Sequence, residues 1–237
     1  MTQTPEILQK PEIIYPDSDG QPMADNTKQF RWIVVIKENL EILFANNPEV
    51  FVAGDLLWYP VEKDHKTRQA PDILVAFGRP KGDRGSYRQW QENNIAPQVV
   101  FEILSPGNTI KEMAKKLDFY NRHGVEEYYL YDPDKEDING WLREEDNLTV
   151  IEEMNSWVSP RLGIKFELTP TGLEIKYPTG EKFLSSVELA QKAESEKQRA
   201  ESEKQRAESE KQRADEAEEK VRRLQAKLRE LGVTEEG

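Results

Sequence analysis

The sequence has no cysteine and only two histidines, His65 and His123, among its 237 residues. The missing cysteines exclude disulfides, thiolate zinc sites, iron–sulfur clusters and cysteine nucleophiles. Two histidines are too few for a multi-histidine metal centre, so we expect any catalysis to depend on carboxylates, lysine, tyrosine or serine. Long hydrophobic runs are also missing, because no apolar stretch approaches the roughly 18 residues of a membrane span. The first residues lack the pattern of a signal peptide, and we therefore expect a cytoplasmic protein that does not enter the membrane.

Hydrophobic residues are scarce as well, at 36% of the chain, whereas charged residues make up 33%. Average globular proteins have roughly 45–50% and 25%, so part of this chain is expected to lie outside any core. The formal net charge is −12, yet the segment from residue 190 onward has 12 basic and 13 acidic residues. Almost all of the net charge therefore belongs to residues 1–189. That acidity argues against loose, charge-driven binding of nucleic acid.

The C-terminal segment contains a seven-residue repeat. AESEKQR occurs three times in succession from residue 193, and further heptads follow in the same frame. The repeat places opposite charges four residues apart, as in Lys197 and Glu201, which favours a helix. Only the last three heptads have apolar residues at both seam positions, including Val221 and Leu224. We predict one long helix from Ser186 to Leu231 whose end seeds a coiled coil; a frayed or disordered tail is the alternative.

The remaining residues alternate between helical and strand-like patterns. Proline and Asp-Gly breakers predict an extended arm over residues 1–24. A domain over residues 25–185 should begin with a helix capped by Asp25 or Asn26 and continue with strands at 50–61, 73–78 and 98–105. A helix from Thr109 to His123 follows, then a strand at 127–132 and several short strands to about 183. This order predicts an α/β (α+β) fold with one mixed sheet covered by helices, followed by a charged helix over 186–237.

Two lone carboxylates interrupt runs that otherwise have the character of buried strands. Asp72 lies in APDILVAF and Glu102 lies in VVFEILS. Burying a carboxylate costs several kcal/mol unless it is paired or bound to a metal. On neighbouring strands the two side chains would offer the oxygen ligands that Mg²⁺ or Mn²⁺ takes. The alternatives are a strand-end aspartate in a turn and an edge-strand glutamate that faces solvent.

The helix after Glu102 carries a second set of candidates. Thr109 and Glu112 have capping-box spacing, which gives Glu112 a structural role at the start of the helix. Glu112, Lys116 and Tyr120 share one helix face at four-residue intervals. Glu112 and Lys116 are consistent with an ordinary surface pair. The other interpretation is a lysine directed at a metal-bound water and a phosphate, where its charge stabilises developing negative charge.

These motifs together resemble a known family. The segments GDLLWYPVE, QAPDILVAFGRPKGDRGSYRQWQE, APQVVFEILSPGNTIKEMAKKLDFYNRHGVEEYYLYDPD and WVSPRLGIKF are similar to the Uma family of putative restriction endonucleases, a branch of the PD-(D/E)XK nuclease superfamily. The resemblance covers about residues 25–189 and extends to the charged heptad tail. It implies a restriction-endonuclease-like fold with a mixed central sheet.

The resemblance also implies roles for individual residues. Asp72 and Glu102 would be catalytic metal ligands for Mg²⁺ or Mn²⁺, with Asp55 as a possible further carboxylate. Leucine stands at position 104, where the superfamily usually has its lysine. Lys116 would then supply the catalytic lysine from the next helix, with Glu112 as an accessory group. The implied reaction is the hydrolysis of phosphodiester bonds in DNA.

A short basic segment is the candidate for DNA contact. Residues 78–89 contain Arg79, Lys81, Arg84 and Arg88 against a single acidic residue. A flexible basic loop beside the carboxylates would follow a phosphate backbone, whereas an ordinary solvated loop is the alternative.

Two functions of different class are consistent with the sequence. The first is a metal-dependent endonuclease. The second is a catalytically weak or inactive nuclease-fold protein that assembles through its tail. Either way we expect a homo-oligomer, a dimer to which the coiled coil contributes.

Overall fold

The computed structural model describes residues 13–18, 20 and 22–230. The ends of the predicted arm and tail, residues 1–12 and 231–237, and positions 19 and 21 lie outside this description. The chain divides into two units, Met1–Ser185 and Ser186–Gly237. No helix of the described ranges is both long enough and apolar enough to cross a membrane.

The first unit is a mixed α/β structure, as the sequence predicts. Its helices are α1 (Thr27–Leu43) and α2 (Ile110–Arg122). Its strands are β1 (Val50–Gly54), β2 (Trp58–Tyr59), β3 (Ile73–Phe77), β4 (Tyr87–Arg88), β5 (Val99–Ile103), β6 (Glu127–Asp132), β7 (Asp137–Glu144), β8 (Asn147–Val150), β9 (Lys165–Thr169) and β10 (Gly172–Lys176).

Six of these strands form the central sheet. Their order is β1-β3-β5-β6-β7-β8, in which β5 and β6 are parallel and the other neighbours are antiparallel. The parallel pair is joined by α2, which is the crossover that two parallel neighbours require. Two small sheets accompany it, β2 with β4 and the β9–β10 hairpin.

The central sheet is covered on both faces because its middle strands are mainly apolar. On one face, alternate strand residues pack with Ile33, Ile36 and Leu40 of α1 and with the β9–β10 hairpin. On the other face, the remaining strand residues pack with Tyr120 of α2 and with Trp58. Near-continuous apolar strands are typical of sheets buried on two sides.

The helix ends agree with the sequence signals, whereas some strands are shorter than predicted. Asn26 caps α1 with its side chain, and Thr109 caps α2 by accepting a hydrogen bond from the Glu112 amide. The run 50–61 divides into β1 and β2, because the chain turns at Asp55 with a positive φ of 48°. In the later run WVSPRLGIKFEL, only the end forms strand β9.

The second unit is one helix, α3 (Ser186–Glu230), with 45 residues and no buried side chain. The predicted last helical residue, Leu231, lies outside the described residues. Since α3 buries nothing, its helicity depends on helix-forming residues and on charge pairs such as Arg223 with Glu219, which are 2.5 Å apart.

Candidate active site

Three carboxylates stand in a row at the ends of neighbouring strands. In the antiparallel pairing of β3 and β5, Ile73 is opposite Phe101. Continuing that register by one residue brings Asp72 opposite Glu102. Likewise Gly54 is opposite Ile73 across β1 and β3, so that Asp55 follows at the level of Asp72. The sheet therefore brings together the two carboxylates that the sequence singled out and the third that the family resemblance added.

Asp72 is held by the backbone of the neighbouring strand. Its Oδ2 accepts a hydrogen bond of 2.6 Å from the backbone amide of Ile103. Burial raises the pKa of Asp72 well above its ordinary value, and the nearby charge of Glu102 raises it further. The hydrogen bond from Ile103 and the ammonium of Lys116 act in the opposite direction but are outweighed. An ionised Asp72 is therefore a destabilised charge that a cation would relieve.

Glu102 is 2% exposed and lies on the face of β5 that is covered by α2. Its Oε2 accepts a hydrogen bond of 2.9 Å from Lys116 Nζ, and its Oε1 accepts one from the hydroxyl of Tyr120. Both donors come from α2, one helical turn apart. The solvent-facing alternative for Glu102 is therefore wrong, because this carboxylate is buried and paired.

Lys116 is charged in this environment. Burial alone would lower the pKa of its ammonium, but the carboxylates of Glu102 and Asp72 outweigh burial and raise the pKa. The phenol of Tyr120 is held in its protonated form, because burial and the charge of Glu102 raise its pKa well above the ordinary value. Beside Asp55, the site thus contains the carboxylates of Asp72 and Glu102, one ammonium and one hydroxyl donor.

These groups adjoin a polar cleft of about 220 Å³. Its lining residues include Asp25, Gln29, Asp55, Asp72, Asn108, Glu112 and Lys116. Glu112 is in this wall, where its carboxylate accepts a hydrogen bond of 3.3 Å from the Asn108 side chain. Glu112 therefore combines its predicted place at the helix start with a position in the cleft wall.

The sequence profile of the Uma2 family, described as "Putative restriction endonuclease", matches residues 8–174. The chain belongs to the Uma2 family. The resemblance found from the motifs is therefore confirmed at the level of the family. No curated protein sequence matched the chain.

Among solved structures, the chain matches a putative nuclease belonging to DUF820 from Anabaena variabilis ATCC 29413. It is 19% identical in sequence, with a TM-score of 0.43, over 57% of this chain and 72% of that one.

The donor set of this Uma2 protein fits a hard divalent cation. Mg²⁺ is commonly bound by one or two carboxylates together with waters and substrate phosphates. Asp72 and Glu102 are such a pair, and the raised pKa of Asp72 marks a charge that lacks full compensation. Within residues 13–18, 20 and 22–230, no group of three or more histidine, aspartate and glutamate side chains could hold a metal ion. A protein-only cage is therefore not present in this part, and Asp72 with Glu102 is the carboxylate pair whose chemistry fits such an ion.

The basic segment differs from its prediction. Arg79 and Arg84 are 11% and 13% exposed, and both form ion pairs with Glu92, at 2.9 and 2.7 Å. The Arg84 guanidinium also lies 3.8 Å from the centre of the Phe51 ring. These contacts hold both guanidiniums against partners within the protein rather than in a free loop, and contact of Arg79 or Arg84 with phosphates stays a prediction.

Arg88 and Lys81, the other two cations of the segment, do not pair with Glu92 among the described contacts. Arg88 lies over the Tyr15 ring, 5.2 Å from its centre, and contacts the Tyr15 carbonyl at 3.4 Å. Lys81 is exposed. Contact of either residue with nucleic acid stays a prediction.

Sequence reasoning missed two side chains that hold the site together. Tyr120 follows Lys116 by four residues on one helix face, as in the Lys-x-x-x-Tyr pattern of the family, but the sequence does not predict its contact with Glu102. Gln29 gave no signal, because a single polar residue at the start of an amphipathic helix is ordinary. Its contact with Ile103 depends on a packing of α1 against β5 that the sequence does not reveal.

Proposed function

We propose that this protein is a metal-dependent endonuclease that hydrolyses phosphodiester bonds in DNA. Membership of a family described as putative restriction endonucleases supports the reaction class. The observation that carries the proposal is the 2.9 Å distance between Lys116 Nζ and Glu102. Asp72 lies opposite Glu102 where β3 and β5 meet at their ends. In the proposed site Asp72 and Glu102 would be the acid pair and Lys116 the lysine, since Leu104 stands at the usual lysine position.

Asp72 and Glu102 would hold Mg²⁺ or Mn²⁺ in this proposal. When bound, such an ion lowers the pKa of a coordinated water and neutralises charge on the phosphate. Lys116 contributes a fixed positive charge, since its raised pKa keeps the ammonium protonated at neutral pH. It is therefore suited to stabilise negative charge on the phosphate oxygens rather than to remove a proton. Tyr120 donates to the other carboxylate oxygen of Glu102 and holds it in place.

Cleavage assays with paired variants test this proposal. The protein is incubated with single- and double-stranded DNA in Mg²⁺ and in Mn²⁺, beside Asp72→Ala and Lys116→Met. Lys115→Met is a matched control, because Lys115 is the exposed neighbour on the same helix. We expect cleavage by the wild type and by the control, and a loss of about 100-fold or more in the other two. No cleavage in any condition, or equal cleavage by Asp72→Ala, would refute the proposed mechanism.

We also propose that α3 pairs with α3 of a second copy, which is the assembly role considered as the alternative function. The supporting observation is an exposed apolar seam: Val221, Leu224 and Leu228 are 53%, 54% and 46% exposed. They lie at seam positions of consecutive heptads. In the three AESEKQR repeats, glutamate stands at one seam position, so pairing is expected only near the end of the helix.

The charges beside the seam favour a parallel, in-register pair. In that arrangement Arg213 of one copy faces Glu218 of the other, an attractive contact across the seam. An antiparallel arrangement centred on the same seam instead brings Lys220 near Lys227, which is repulsive. The second copy therefore fits best with both helices running in the same direction.

Cysteine cross-linking tests this arrangement directly, because the natural chain has no cysteine. Leu224→Cys places one thiol on the seam, and Ala226→Cys places one on the opposite side of the helix as the control. Mild oxidation of a dilute sample should give a covalent dimer for Leu224→Cys and little for Ala226→Cys. Equal cross-linking of both variants, or a monomeric mass of the wild type by light scattering, would exclude the parallel pair.

A further inference from the structure

The backbone of Ile103 is held by side chains on both sides of its Cα. Its N–H donates to Asp72 Oδ2 at 2.6 Å, and its C=O accepts from Gln29 Nε2 at 2.8 Å. Together the two bonds restrain φ and ψ of this one residue. Ile103 directly follows Glu102, so its conformation sets how the two carboxylates stand relative to each other.

Gln29 is placed to act as a fixed support. It is 6% exposed on α1, and its amide has two different partners. Nε2 donates to Ile103, while Oε1 accepts a hydrogen bond of 2.8 Å from the backbone amide of Asp25. Since one partner is an acceptor and the other a donor, only one orientation of the amide satisfies both. A buried amide with both ends satisfied has little freedom to move.

Asp25, whose backbone amide binds Gln29, makes a second contact near the end of β5. The carboxylate of Asp25 accepts a hydrogen bond from the Ser105 hydroxyl, two residues beyond Ile103. The chain at the start of α1 therefore contacts the end of β5 through Gln29, and the residues that follow β5 through Asp25. Both contacts lie at the wall of the cleft that contains Asp72.

We propose that Gln29 is a positioning residue for the acid pair: by fixing the backbone of Ile103, it holds Asp72 and Glu102 in their relative geometry. The catalytic consequence depends on the proposed nuclease function, whereas the structural consequence for Ile103 does not. Residues that orient metal-binding side chains without touching the reacting atoms commonly contribute 10- to 100-fold to activity.

Two substitutions separate this role from simple anchoring of α1. Gln29→Met keeps the size of the side chain and removes both hydrogen bonds. Gln29→Glu keeps an acceptor for the Asp25 amide but turns a carboxylate oxygen toward the Ile103 carbonyl, which is repulsive. We expect both to lower kcat by about 10- to 100-fold while KM changes less than about threefold, with Gln29→Glu at least as impaired as Gln29→Met.

Asn39→Leu is the matched control. Asn39 is a fully buried amide on the same helix, where it donates to the Leu184 carbonyl at 2.7 Å and accepts from the Tyr177 hydroxyl at 2.7 Å. Its loss should lower Tm as much as Gln29→Met does but leave kcat of the folded enzyme unchanged. Loss of kcat in proportion to Tm in both variants, or wild-type kcat in Gln29→Met, would overturn the proposal.

A measurement independent of cleavage keeps the two proposals apart. Protein labelled with ¹⁵N-isoleucine reports the Ile103 amide by its chemical shift and hydrogen exchange. Gln29→Met should shift this signal and speed its exchange by about tenfold or more, and Asn39→Leu should not. If the wild type does not cleave DNA but Ile103 responds in this way, the nuclease function fails and the positioning stands. An unchanged Ile103 signal in Gln29→Met rejects the positioning whatever the activity.

Discussion

Replacing Asp72 by asparagine should abolish cleavage and at the same time stabilise the fold. The carboxylate is buried near a second carboxylate, and these two causes raise its pKa. Asparagine keeps an oxygen that accepts from the Ile103 amide, so the 2.6 Å hydrogen bond has a replacement. The substitution therefore removes the poorly compensated charge but not the contact. A buried charge that lowers the stability of the fold is typical of a functional residue.

The size and sign of the effect depend on pH. An acid whose pKa is raised by folding destabilises the native state once pH exceeds its ordinary value, which is 3.8 for aspartate. The free energy of unfolding of the wild type relative to the variant is therefore highest below pH 3.8. It falls as the pH rises from 3.8 to the raised pKa of the folded state. Above that value the variant should be more stable by about 1–3 kcal/mol, the scale of an imperfectly compensated buried polar group.

Urea unfolding of the wild type, Asp72→Asn and Asp72→Ala between pH 5 and 8 measures this difference. Asp72→Ala loses the acceptor for the Ile103 amide as well as the charge, and it should gain less stability or none. Mg²⁺ should reduce the difference in free energy of unfolding between Asp72→Asn and the wild type. An ion bound only by the folded wild type adds about 2.7 kcal/mol to its free energy of unfolding when the ion is present at 100 times its dissociation constant. A wild type that is more stable than Asp72→Asn at pH 8 without metal would refute the reasoning.

Three further expectations concern other buried or partly buried side chains. Tyr128 has a buried hydroxyl without a hydrogen-bond partner among the described residues, so Tyr128→Phe should raise the free energy of unfolding by up to about 1 kcal/mol. Tyr129→Phe loses the hydrogen bond from its hydroxyl to Glu127 and should lower the free energy of unfolding in the same urea assay. Glu92→Gln should cost about 2–3 kcal/mol, because it leaves two largely buried arginines without their anion, and an unchanged urea midpoint would contradict this. Burial acts to raise the pKa of Glu92, but the bonds from its arginines outweigh it and lower the pKa, so its contribution should be present above the ordinary value of 4.5 and be lost as pH falls through the lowered pKa.

The main elements of the fold could be predicted from local signals. The periodicity of Ile33, Ile36 and Leu40 gives α1, and the capping pattern at Thr109 gives the start of α2. Parallel pairing of β5 with β6 follows from the helix between them. The division of 50–61 into two strands could not be predicted, because it depends on a backbone turn at Asp55 with positive φ, which apolar patterning does not encode.

The carboxylates of the site were predictable, whereas the partners of the basic segment were not. A lone acid in an apolar strand is costly enough to be noticed without a structure, and Asp72 and Glu102 were found in this way. For Arg79 and Arg84, composition shows how many charges the segment has but not which residues are their neighbours. Glu92 lies at the end of the short helical turn that follows the segment, and only the fold brings it within 3 Å of both arginines.

The displaced lysine connects these observations. A lysine at position 104 would be carried by the same strand end as Glu102. Lys116 instead comes from α2, whose place is fixed by the crossover between β5 and β6 and by the packing of Tyr120 in the core. Tyr120 binds the other oxygen of Glu102, so α2 both carries the Lys116 ammonium and orients the Glu102 carboxylate that it pairs with. The substitution by Leu104 therefore does not by itself remove a cation from this site, and the activity of Lys116→Met relative to Lys115→Met is the measurement that decides whether the relocated cation is used.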